Sequence, residues 1–278
     1  AEQMPGVVKV VKENGFIGVV AKTHVEADNA RRKIKFDYTP NKTWNLQDIK
    51  DQIKVGNGKK TIIQKEGKPV EDIDGEGEIF QLEFRTPIGA HAQMEPNGAV
   101  ANYKDGKVEI KLSTQVPKLT RDEVAKALGL SNDDVNIIPT FLGGGFGRRL
   151  HTPNAVQAAL LSKAVGQPVK SFFDRKQEFQ NDTFRPPTHH AMKAKLSAEG
   201  KQVLGIEHQF ASGDTLFNSA LDPGVASVVR ADIGSIRGGA LIYNGLPHRT
   251  TYYHVALPFA TSFWRSLGLL ANTFAIES

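Results

Sequence analysis

An α+β fold is predicted for this chain, and three observations predict it. Short extended runs, bounded by Gly, Asn and Asp turns, recur along the sequence. Two helices with clear stop signals sit among those runs without alternating with every strand. The 278 residues are 40% hydrophobic and 23% charged, which suits a globular chain long enough for two domains with cores.

Taken in order, residues 7–11 and 16–21 read as strands joined by Glu13-Asn14-Gly15, an Asn-Gly hairpin signal. Residues 23–32 read as a helix and 33–38 as another strand. Residues 40–78 are polar, with Asn57-Gly58, Gly67 and an acidic run, and read as a connecting stretch with little core. They offer the best place for a domain boundary, which divides the chain into residues 1–78 and 79–278. Residues 79–86 and 107–114 read as strands, with Asp105-Gly106 as a turn. Thr120-Arg-Asp-Glu123 has the form of a capping box, and Gly129 stands where that helix would stop. A strand over 135–141 leads into a glycine-rich loop. Thr152-Pro153 opens a second helix that ends at Gly166. Residues 169–173 and 191–196 read as strands, while 211–250 carry little pattern.

Composition excludes several classes. There is no cysteine, so disulfides, zinc-thiolate sites and a protein-bound iron–sulfur cluster are excluded within this chain. The net charge of +5 is spread along the sequence, and its basic runs lack interleaved aromatic residues, so nucleic acid is not an expected partner. No run approaches the roughly 18 apolar residues of a membrane span. His189-His190 is a poor metal pair, because adjacent residues of a strand point to opposite faces.

The stretch with most chemistry is PTFLGGGFGRRL, residues 139–150. Gly143, Gly144, Gly145 and Gly147 free the backbone for positive φ and let N–H groups approach a ligand. Arg148 and Arg149 add forked donors suited to anionic oxygens. A loop of this kind between strand and helix is a usual setting for a phosphorylated cofactor. It is neither a G-x-G-x-x-G fingerprint, because Arg148 stands where a glycine is needed, nor a P-loop, because no Gly-Lys-Ser/Thr follows. A stand-alone domain that binds a phosphorylated ligand through this loop is one reading.

Residues 112–150, LSTQVPKLTRDEVAKALGLSNDDVNIIPTFLGGGFGRRL, support another. With 160–196 and FWRSLGLLANTFAIES at 263–278, they resemble the molybdopterin-binding subunits of the xanthine oxidase and aldehyde oxidase family, most of all its isoquinoline oxidoreductase beta-subunit branch. The resemblance implies a partial α/β-hammerhead segment over 1–78, and part of a mixed-sheet molybdenum cofactor-binding domain over 79–278. It also implies that the chain is an internal piece of a longer polypeptide.

The implied cofactor is molybdopterin, in a cytosine dinucleotide form, with no metal ligand from the protein. The implied partners are a [2Fe–2S] small subunit, in some relatives a cytochrome c, and a small-molecule substrate. Gln115 matches the glutamine that meets an oxo ligand, and Phe146 and Gly147 match residues whose N–H groups face the molybdenum. Gly143, Gly144, Gly145 and Arg148 complete the cofactor loop. Arg265 matches a catalytic arginine near the metal, and Arg185 a substrate-side arginine. The implied reaction adds water-derived oxygen to an N-heterocycle or an aldehyde. Relatives in this branch often carry a twin-arginine signal, so a periplasmic or membrane-associated parent and a cytoplasmic one are both consistent with the residues.

Two departures stand out. Arg148, Arg149 and Leu150 replace the Gly-Lys-Glu of the purine enzymes, which argues against a purine. The family's general-base glutamate, in a Gly-Glu-Pro-like motif, does not occur before Ser278, so this chain by itself is expected to be inactive. Glu95, in His91-Ala-Gln-Met-Glu-Pro, matches a family stretch and reads as structural or as lining the substrate approach.

Overall fold

A computed structural model describes residues 1–13, 15–215, 231–243 and 245–278. Its chain forms two compact units, each discontinuous in sequence: 1–41 with 92–181, and 42–91 with 182–278. The division drawn at residue 78 falls inside the second unit.

The first unit opens with the antiparallel hairpin β1 (Val7–Glu13) and β2 (Phe16–Ala21). Asn14, the first half of the expected turn dipeptide, lies outside the described residues. Helix α1 (His24–Arg31) follows, and Thr23 with Glu26 forms a reciprocal capping box at its start. Residues 33–38 form no strand. Phe36 and Tyr38 are exposed, so the run has neither a ladder partner nor a buried face to hold it extended.

The main sheet of this unit runs β7-β6-β5-β8, from β5 (Gly98–Lys104), β6 (Lys107–Leu112), β7 (Val135–Pro139) and β8 (Val169–Phe172). Asp105 and Gly106 turn β5 into β6 with φ of 51° and 79°, the paired positive φ of a tight hairpin. Along β6 the sequence KVEIKL alternates exposed and buried, so Val108, Ile110 and Leu112 face the core. Helix α3 (Pro117–Leu128) returns the chain so that β7 lies parallel to β6. Helix α4 (Pro153–Val165) packs Ala155, Ala158 and Ala159 toward the sheet, small residues that permit close approach. Gly129 and Gly166 end the two helices in the left-handed conformation, as expected.

The capping box at Thr120 is not formed. Pro117 occupies the first helical turn and Val116 the N-cap, so the helix begins four residues earlier. Thr120 is instead buried inside it, donating to the Val116 carbonyl at 3.0 Å.

The second unit contains the mixed five-stranded sheet β3-β11-β10-β9-β4. Its strands are β3 (Lys59–Glu66), β4 (Ile79–Thr86), β9 (Thr188–Leu196), β10 (Val203–Ser212) and β11 (His248–His254). Residues 40–78 therefore do more than connect. Asn45 and Asp48 cap helix α2 (Leu46–Gln52), β3 supplies an edge strand, and Ile53 and Val70 are buried. Many polar residues hid a structured segment because an edge strand needs only one covered face.

Among the described residues, no helix is long and apolar enough to cross a membrane.

Candidate functional site

Parallel pairing of β6 and β7 decides where the glycine loop meets Gln115. Leu112 pairs with Pro139, so the segments leaving both strands emerge at the same end of the sheet. One carries Ser113-Thr114-Gln115 and the other the loop. The Gln115 backbone N–H donates to the Arg149 carbonyl at 3.1 Å, and its side-chain oxygen accepts from the Gly147 N–H at 3.3 Å. That second bond orients the amide, leaving its NH2 as a donor on an exposed residue.

Each glycine of the loop has its own reason. A Cβ at Gly143 would lie 2.4 Å from the Cβ of Glu95, and one at Gly145 would lie 2.8 Å from the Gln115 Oε1. Gly144 and Gly147 have φ of 93° and 110°, and Phe146 between them takes a positive φ of 56° without being glycine. Among the described residues, no acceptor faces the N–H groups of Gly144, Gly145 and Phe146. Three consecutive N–H groups without a protein acceptor leave donors suited to electronegative atoms.

The two arginines hold the loop from within. Arg148 donates from Nε to Glu178 at 2.8 Å and from Nη2 to the Asn181 carbonyl at 3.2 Å. Arg149 donates to the Gly144 carbonyl at 2.7 Å, to the Glu95 carbonyl and carboxylate at 2.8 Å each, and to the Ser113 hydroxyl. Both are fully buried. Burial lowers the Arg149 pKa, and the nearby Glu95 carboxylate opposes that shift. This corrects the reading of a stand-alone phosphate binder, since the guanidinium groups point into the fold.

Glu95, read from sequence as structural or as lining the substrate approach, braces the glycine loop. The Glu95 N–H donates to the Gly143 carbonyl at 3.0 Å, and its carboxylate accepts from the Gly143 N–H at 3.1 Å. Arg175, in helix α5 (Arg175–Gln180), donates to the Gln93 and Met94 carbonyls at 2.7 and 2.6 Å. No local motif signals this, because the partners lie about fifty or eighty positions apart.

The second unit holds the other two residues singled out from sequence. The Arg185 guanidinium lies 4.7 Å above the Trp264 ring and donates to the Pro87 carbonyl at 3.1 Å, and burial lowers its pKa. Arg265 is exposed and precedes Ser266 and Leu267, whose φ values are 75° and 54°. The segment before it is pinned. His91 Nδ1 lies 2.8 Å from Asp182 and its Nε2 lies 2.6 Å from the Phe263 carbonyl oxygen, while Trp264 donates to the Ala90 carbonyl. His189 and His190 do point apart. His189 accepts from the Val55 N–H, while His190 meets His208. No cluster of three His, Asp or Glu side chains able to hold a metal occurs among the described residues.

Mixed sheets with their helices carry a glycine loop beside a presented amide, an arrangement that offers hydrogen-bond donors to a bound group. The chain belongs to the molybdopterin cofactor-binding domain family, whose model matches residues 54–235. It is 31% identical over 72% of its length to a membrane-bound aldehyde dehydrogenase [pyrroloquinoline-quinone] of Gluconacetobacter polyoxogenes, covering 26% of that protein. It is 25% identical over its whole length to isoquinoline 1-oxidoreductase subunit beta of Brevundimonas diminuta, covering 37% of it. The fold matches the aldehyde oxidoreductase of Desulfovibrio gigas with a TM-score of 0.74 at 19% identity, over 99% of this chain and 34% of that one. The chain thus spans between about a quarter and two-fifths of these proteins.

The residues present fit the group that the family name implies. The N–H groups of Gly144, Gly145 and Phe146, with the Gln115 NH2, offer donors to a polar cofactor.

Proposed function

We propose that this chain is the part of a molybdenum hydroxylase that grips the metal-bearing end of molybdopterin, in a protein acting on N-heterocycles or aldehydes. When bound, the cofactor supplies a two-electron redox centre for inserting a water-derived oxygen. Gln115 donates from its NH2 to an electronegative atom of that centre, its orientation held by the Gly147 N–H. Gly144, Gly145 and Phe146 add backbone donors that need no reorganisation. Arg148 acts from beneath, holding the loop through Glu178. Arg265, presented by the segment that His91 pins, supplies positive charge where negative charge develops on the substrate. Arg185, stacked on Trp264, lines the substrate side. Electrons leave to a [2Fe–2S] partner, with a cytochrome c as a further acceptor, and the pterin is in its cytosine dinucleotide form.

The cradle beside the presented Gln115 amide carries this reading, in a chain of this family. The test is metal and pterin analysis of the purified protein. Molybdenum and pterin near one per chain are expected, with a loss of about tenfold in Gln115→Ala. Recovery of pyrroloquinoline quinone in place of pterin would overturn it.

A further inference from the structure

Beneath the glycine loop lies a side chain that no partner explains. Gln93 is 1% exposed, and neither its Oε1 nor its Nε2 has a hydrogen-bond partner. Such an amide is costly to bury, because both its acceptor and its donors have been taken from water. It cannot easily swing out. The carbonyls of Gln93 and Met94 are held by Arg175, and that of Glu95 by Arg149. Ala92, just before it, takes a φ of 49°, a rare value for alanine that sets the segment's direction. The Cβ of Gln93 would lie 3.2 Å from a Cβ built on Gly144, so the side chain starts directly under the open stretch of the loop.

We propose that Gln93 is a further cofactor-binding residue, its amide completed by the cofactor that the glycine cradle holds. This rests on the molybdopterin reading above. The amide needs a donor for its oxygen and an acceptor for its nitrogen. A phosphate offers acceptors only. A pterin ring edge offers both kinds of group side by side, so the pterin is the complementary part of the cofactor. The loop and the amide then form one site, with the cofactor removing an unmet polar demand that the empty protein carries.

The experiment uses Gln93→Met, which keeps length and flexibility but removes the amide. It measures two quantities: molybdenum and pterin content in protein from normal cells, and melting temperature in protein from cells blocked in pterin synthesis. Content is expected to fall about tenfold. The cofactor-free protein is expected to melt about 2–4 °C higher, because a buried unpaired amide has gone. Unchanged content overturns the proposal. So does a fall in content accompanied by a lower melting temperature, which would mark Gln93 as a support of the fold or the partner of a buried water. Wild-type protein that lacks both molybdenum and pterin would instead defeat the cofactor reading itself.

Discussion

Arg148 and Arg149 are neighbours in sequence and equally buried, yet their acidic partners differ. Glu178 is 2% exposed at its side chain and also accepts from the Asn97 backbone and amide, whereas the Glu95 side chain is 52% exposed. Removing the buried partner strands a charge in low dielectric, so Glu178→Ala is expected to cost about 3–5 kcal/mol. Glu95→Ala admits water to the gap and is expected to cost about 1–2 kcal/mol, close to one charged hydrogen bond. Urea midpoints of the two variants check the order, and an equal loss would refute the distinction. Gly143→Ala belongs at this scale too. Its Cβ must displace Glu95, so cofactor content is expected to drop about tenfold. The loop was legible in sequence because consecutive glycines need no partner to be recognised. The burial of its arginines was not, because nothing near residue 148 announces Glu95 or Glu178.

Local signals at the level of helices and strands fared unevenly, for a physical reason. Glycine caps depend on φ alone, and Gly129 and Gly166 end their helices at φ of 69° and 66° with no atom within 4 Å of an added Cβ. Alanine at either site pays only the left-handed backbone penalty, so each substitution is expected to cost about 1 kcal/mol, with asparagine cheaper. Thermal melts of the alanine and asparagine pairs test it. Thr120-Arg-Asp-Glu123 looked like a helix start on equally local grounds, but a polar motif of that kind also fits an interior position once Pro117 has begun the helix. There Thr120 meets the hydroxyls of Thr114 and Thr152, both at 3.1 Å. Thr120→Val keeps the shape and leaves those hydroxyls short of a partner, at an expected cost of about 1–3 kcal/mol. A neutral result would show that these hydroxyl contacts add nothing to stability. Strand β3 and helix α2 escaped notice because their buried faces are narrow and their partners, among them β11, lie far along the chain.

For the molecule as a whole, two buried histidines in the five-stranded sheet couple stability to pH. His208 donates from Nδ1 to the Gly239 carbonyl, leaving Nε2 to accept from His190 Nδ1 at 3.0 Å. His190 Nε2 accepts from the Thr188 hydroxyl at 2.8 Å, which in turn meets Thr86 at 2.7 Å. Every ring nitrogen is thus assigned with both histidines neutral. Burial is the main cause that pushes His208 down to about 4 and His190 to about 2, the latter aided by the charge of its neighbour. The unfolded chain binds these protons near pH 6.5, while the native sheet refuses them. Stability from this pair is therefore complete above about pH 6.5 and is lost as pH falls, the His208 share by about pH 4 and the His190 share on toward about pH 2. Urea unfolding at intervals between pH 7.5 and 4 should show a declining midpoint for the second unit. His208→Phe, which keeps a ring stacked on Phe210 and cannot take a proton, should flatten that decline. A variant whose acid limb matched the wild type would show that other groups, not these rings, set the low-pH edge of the fold.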